Sequence, residues 1–74
     1  MKIFSERLNK LLSDGCISKY RLAKEIGVNK QTVAFWCDEQ SEPSISNLKL
    51  IAEFFDVSAD YLIGLENEDG SRAI

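Results

Sequence analysis

Ser18-Lys19-Tyr20-Arg21-Leu22-Ala23-Lys24-Glu25-Ile26-Gly27-Val28-Asn29-Lys30-Gln31-Thr32-Val33-Ala34-Phe35-Trp36 is the run on which the fold turns. Ser18 is a helix N-cap, and the helix it opens carries Leu22, Ala23 and Ile26 inward. Gly27 ends that helix where a left-handed residue costs least. Asn29 caps the next helix, predicted over about residues 30–39. The connection Ile26-Gly27-Val28-Asn29 is too short for two antiparallel neighbours in long contact. A tight glycine turn of this kind joins two short helices that cross steeply.

Placed at steps of about 100°, the second of these helices divides into two faces. Lys30, Ala34, Asp38, Gln31 and Phe35 fall between about 0° and 140°, while Trp36 and Val33 fall at about 240° and 300°. Val33 and Trp36 make the core side. The outer side has chemistry suited to base edges. A Gln pairs bidentately with adenine, a Lys donates to guanine, and Ala or Phe touches a thymine methyl. A polar outer face is also what any amphipathic helix presents, so periodicity alone leaves both readings open.

Outward from this run the periodicity stays helical. Phe4, Leu8, Leu11 and Leu12 form one stripe on a first helix, stopped by Asp14-Gly15. Ser44, after Pro43, caps a fourth helix with Leu48, Ile51, Ala52 and Phe55 inward. Ser58 caps a last short helix through about Ile63, ended by Gly64. The polar stretch from Glu66 to Arg72 reads as frayed. The prediction is an all-α, compact five-helix domain over 1–65, with an acidic flexible tail over 66–74.

The whole chain bounds the function. It has 74 residues, 45 % hydrophobic and 28 % charged, which is room for one small core. The net charge of −3 hides an asymmetry. Residues 1–31 hold seven basic and three acidic residues, net +4; residues 32–74 hold two basic and nine acidic, net −7. A segregated chain can present a basic face even when acidic overall. There is no His, and no G-x-S-x-G, Walker A or GxGxxG run, so no enzyme is expected. No metal, cofactor or small-molecule site is read either. No apolar run approaches the roughly 20 residues of a membrane span. The start, Met1 to Arg7, meets charge too soon for a secretory leader, so a cytoplasmic location is expected. Cys16 and Cys37 are expected as reduced thiols packed like small apolar residues, with a bridge to a second chain as the other reading.

Two runs also carry a resemblance. Ile17-Ser18-x-x-x-Leu22-Ala23-x-x-Ile26-Gly27-Val28-x-x-x-Thr32-Val33-x-x-Trp36 resembles the helix-turn-helix of phage-repressor and Cro-type regulators. Pro43-Ser44-x-x-x-Leu48-x-x-Ile51-Ala52-x-Phe54-Phe55-x-Val57-Ser58-x-Asp60-Tyr61-Leu62-x-Gly64 resembles the second half of the same lambda-repressor-like domain. The similarity spans about residues 3–65, with the helix-turn-helix at about 18–39. It implies a transcriptional regulator, repressor-like, that binds double-stranded DNA through its third helix in the major groove, usually as a homodimer. Position by position it implies base contacts from Lys30, Gln31, Ala34 and Phe35, and backbone contacts from Ser18, Lys19 and Asn29. It also implies dimer contacts toward the C-terminal end, where Leu50, Phe54, Tyr61, Ile63 and Leu65 form an apolar surplus.

The chain departs from the family after the third helix. A Gly and a basic residue are common there; this chain has Asp38-Glu39-Gln40-Ser41-Glu42. Carboxylates facing phosphate repel it and forgo counterion release. Few phosphate contacts and a dependence on dimerisation are therefore expected. The same acidic segment motivates a second reading, a protein-interaction module of antitoxin or antirepressor type with weak or no DNA binding.

Overall fold

The computed structural model describes residues 1–72 and places five helices in order: α1 Lys2–Asp14, α2 Lys19–Ile26, α3 Lys30–Cys37, α4 Ile45–Phe55 and α5 Ala59–Ile63. Four begin at the predicted caps. The Ser18 hydroxyl accepts from the Arg21 amide at 3.0 Å, and Asn29 Oδ1 accepts from the Thr32 amide at 2.9 Å. Ser44 accepts from the Asn47 amide at 3.1 Å, and Ser58 from the Tyr61 amide at 3.0 Å. Each cap satisfies an amide that the helix cannot, which is worth about 1 kcal/mol.

The core is a single cluster drawn from all five helices. Phe4, Leu8 and Leu12 of α1 meet Leu22 and Ala23 of α2, Val33, Trp36 and Cys37 of α3, Ile51 and Ala52 of α4, and Leu62 of α5. Leu11, Ile26, Leu48 and Phe55, also expected inside, are half-buried around it. The two sides of the helix-turn-helix are joined by a backbone turn. The amides of Gly27 and Val28 both reach the Ala23 carbonyl, at 2.9 and 3.0 Å. Gly27 sits at φ +83°, the left-handed conformation that this turn requires.

The ends of α1 and α3 differ from the sequence expectation. Gly15 has an ordinary right-handed backbone at φ −88°, and the left-handed residue closing α1 is Cys16 at φ +53°. Its side chain is exposed rather than packed, while Cys37 is buried as expected. Burial pushes the Cys37 thiol above its ordinary value, against the nearby Lys19 ammonium. The third helix stops at Cys37, two residues before the expected Glu39, because Glu39 turns left-handed at φ +64°. The Gln40 amide then folds back to the Phe35 carbonyl at 2.9 Å. A left-handed L-residue costs roughly 1–2 kcal/mol. Glu39→Gly is expected to raise stability by about 1 kcal/mol. A thermal melt followed by circular dichroism should place its midpoint several degrees above wild type.

Residues 66–72 lie against the helices. Glu66 and Arg72 form an isolated antiparallel bridge, and Glu68 pairs with Lys10 at 3.1 Å. The last two positions of the expected tail lie outside the described residues.

Candidate nucleic-acid interface

Burial of one side of α3 decides what the other side shows. Val33, Trp36 and Cys37 are buried, so the remaining positions turn outward. Lys30 and Gln31 are exposed in the first turn, Ala34 is partly covered, and Phe35 keeps 37 % of its surface exposed. Asp38 is exposed where the helix ends. The four positions singled out for base contact therefore share one face, although Ala34 is its recessed member.

The start of α2 supplies the adjoining polar groups. Ser18 is exposed and Lys19 is half-buried. The capping bonds at Ser18 and Asn29 use an oxygen as acceptor. The Ser18 hydroxyl proton and the Asn29 amide group remain able to donate outward. Tyr20, 60 % exposed in the first turn of α2, is a further residue that the two quoted runs leave unspecified. Helical spacing could have found it, since Leu22 and Ala23 fix the inward side of α2.

Charge changes sign along the sequence of this region. Residues 18–31 hold four basic residues (Lys19, Arg21, Lys24, Lys30) and one acidic, net +3. Residues 38–42 hold Asp38, Glu39 and Glu42, net −3, all exposed. The chain's amino terminus lies 3.2 Å from Glu42 and offsets part of that charge. Two of the basic residues of the N-terminal half do not serve this face. Arg7 is buried, donating to the carbonyls of Tyr61 and Glu66, and Lys10 is held by Glu68. Of the four basic residues in 18–31, Lys19 and Arg21 lie in the first turn of α2, Lys24 in its last turn and Lys30 at the start of α3.

The apolar surplus near the C-terminal end is divided. Leu50 and Leu65 are exposed. Phe54 and Tyr61 pack against the core, and Phe54 meets Phe55 edge to face at 5.0 Å. Ile63 lines a small hollow with Met1, Phe4, Pro43 and Leu48. No helix among the described residues is long and apolar enough to cross a membrane, and none of their His, Cys, Asp or Glu side chains group as a metal site.

Comparison with known proteins gives this face its setting. The helix-turn-helix family model matches residues 17–62, from the entry to α2 through most of α5. The chain belongs to the Cro- and CI-type helix-turn-helix family. It is 29 % identical over 66 residues to YobD of Bacillus subtilis, an uncharacterised HTH-type transcriptional regulator. That match takes in 89 % of this chain and 59 % of the relative, so the chain spans little more than half of YobD's length. Its fold is similar to the solution structure of LexA, the SOS-response transcriptional repressor of Eubacterium rectale. The TM-score is 0.81 at 32 % identity, covering 84 % of this chain and 66 % of LexA. It is also similar to the P22 c2 repressor, solved in complex with a synthetic operator. There the TM-score is 0.76 at 27 % identity, covering 80 % of this chain and 89 % of c2. The lambda-repressor-like five-helix fold is thus the one that the two quoted runs resemble.

Proposed function

We propose that this domain is a sequence-specific, repressor-like regulator that acts in the cytoplasm and binds double-stranded DNA by laying α3 in the major groove. The observation that carries the reading is the display of Lys30, Gln31 and Phe35 on the solvent side of α3, opposite the buried Val33 and Trp36. Lys30 and Gln31 read base edges, Phe35 and Ala34 meet the apolar edge of a thymine, and Ser18, Lys19 and Asn29 hold phosphate. Lys30 at the start of α3 and Asp38, Glu39 and Glu42 after its end favour entry with the first turn of α3, where positive charge meets phosphate while the acidic segment stays clear. The fold of the P22 c2 repressor, seen with its operator, supports this mode. A homodimer joined near Leu50, Phe54, Tyr61, Ile63 and Leu65 would set two such helices about 34 Å apart on a near-palindrome. It would act by occupancy, blocking or recruiting polymerase.

Selection of bound sites from a random duplex library tests the reading. An enriched motif with half-sites one helical turn apart is expected. No enrichment, together with no binding to random duplex even at low salt, would overturn it in favour of a protein partner for the acidic segment. On the selected site, Gln31→Ala is expected to cost roughly 1–3 kcal/mol and to relax one base position. Equal loss on every sequence would speak against base reading by Gln31. Lys19→Ala should instead weaken binding to all duplexes, and a salt titration should show a slope shallower by about one.

A further inference from the structure

The last four carbonyls of a helix have no partner within it. At α3 each of these four finds a donor, from two different sources. The Ala34 carbonyl takes the Asp38 amide at 3.0 Å, and the Phe35 carbonyl takes the Gln40 amide at 2.9 Å. The other two are served from across the molecule. Ser5 of α1 donates its hydroxyl to the Trp36 carbonyl at 2.5 Å, a buried bond spanning 31 positions. Asn9, also of α1, donates its amide to the Cys37 carbonyl at 3.1 Å. In the usual left-handed helix end the Trp36 carbonyl would receive the amide of Glu39. Here a side chain of another helix supplies the bond. At α1, α2 and α4, residues just after the helix supply the bonds that close the end.

Ser5 and Asn9 stand one turn apart on the same side of α1. Their two acceptors are consecutive carbonyls, about 100° apart around the axis of α3. Two anchor points at that separation fix both the rotation of α3 about its axis and its tilt against α1. The first turn of α3, with Lys30 and Gln31, lies at the far end of a helix about 12 Å long. A tilt of about 10° pivoting on the anchored end moves that turn by about 2 Å. A hydrogen bond to a base edge tolerates only a few tenths of an ångström around 2.9 Å.

We infer that Ser5 and Asn9 are positioning residues for base recognition, holding α3 at the angle at which Gln31 reaches its base. The inference rests on the DNA-binding reading above, and its test separates the two. The full chain and its variants are titrated with the selected duplex and with random duplex at one salt concentration, and the folded fraction is measured by circular dichroism. For Ser5→Ala/Asn9→Ala the ratio of the two affinities is expected to fall about tenfold, within the range that one base contact spans. Random-duplex affinity per folded molecule and its salt slope stay unchanged. Asn9→Gln, which keeps an amide donor, retains most of the ratio. Asn9→Ala alone, at an exposed position, lowers the ratio by a smaller factor and serves if the Ser5 change prevents folding. An unchanged ratio, or parallel loss on both duplexes, would overturn the positioning role and leave a purely stabilising one. A wild-type protein that does not discriminate at all would remove the DNA reading, and this inference with it.

Discussion

Trp36→Ala is expected to remove much or all of the domain's stability. Trp36 is only 2 % exposed and is the largest of the fully buried side chains. It belongs to the cluster in which every helix takes part, so its removal opens a cavity between α3 and the rest of the core. Truncation of a buried Trp or Phe costs about 3–5 kcal/mol, transfer and cavity together. A 74-residue domain has on the order of 4–11 kcal/mol in total at the usual stability per residue. The loss therefore takes much or all of what exists. Urea titration followed by circular dichroism would show the midpoint shifted far to low denaturant, or no folded baseline. An unfolding free energy within about 1 kcal/mol of wild type would mean that α3 is not seated as described. Trp36→Phe, which keeps most of the volume, should fold with a smaller loss.

Arg7→Met is expected to have the second largest effect, about 2–4 kcal/mol: two charge-assisted hydrogen bonds worth roughly 1.5–3 kcal/mol each are lost, and part is offset because a buried charge no longer has to be desolvated. Arg7 is 9 % exposed and donates to the carbonyls of Tyr61 and Glu66. Its guanidinium also lies 4.5 Å from the centre of the Tyr61 ring. The group thus closes the end of α5 and holds the segment after it, complementing the negative end of the helix. Met keeps the apolar stem but leaves both carbonyls without this donor. Arg7→Lys should recover only part of the loss, because an ammonium lacks the planar, weakly hydrated guanidinium that lies over the Tyr61 ring while it donates to both carbonyls. If Arg7→Met melts with wild type, the guanidinium is only a surface charge. If the variant melts low while its folded fraction binds random duplex as wild type does, Arg7 is confirmed as no part of the basic face.

What could be read from the sequence follows from the range of the interactions. Ser18, Asn29, Ser44 and Ser58 were legible as caps because a cap is made within three residues of itself. The two faces of α3 were legible because Val33 and Trp36 fall together at helical spacing. The end of α3 was not legible, because its left-handed residue is Glu39, a type that carries no such signal. The end of α1 misled in the opposite way, since a glycine stands beside the left-handed residue and not at it. The roles of Ser5, Arg7 and Asn9 were invisible. Their partners lie 28 to 59 positions away, and nothing local says which helix crosses α1. Arg7 in particular counted toward a basic half of the chain, whereas packing withdraws it from solvent.

The chain has one tryptophan, and it sits on the buried side of the helix proposed to enter the groove. Its emission is an intrinsic reporter on the seating of that helix, with no label required. Shielded from water in the native molecule, the indole should fluoresce at the blue end of its range and resist quenching by iodide. Unlike the exposed Tyr20 and Phe35, it should keep that spectrum when a duplex is added, so any red shift during a titration would signal that the reading head had come loose.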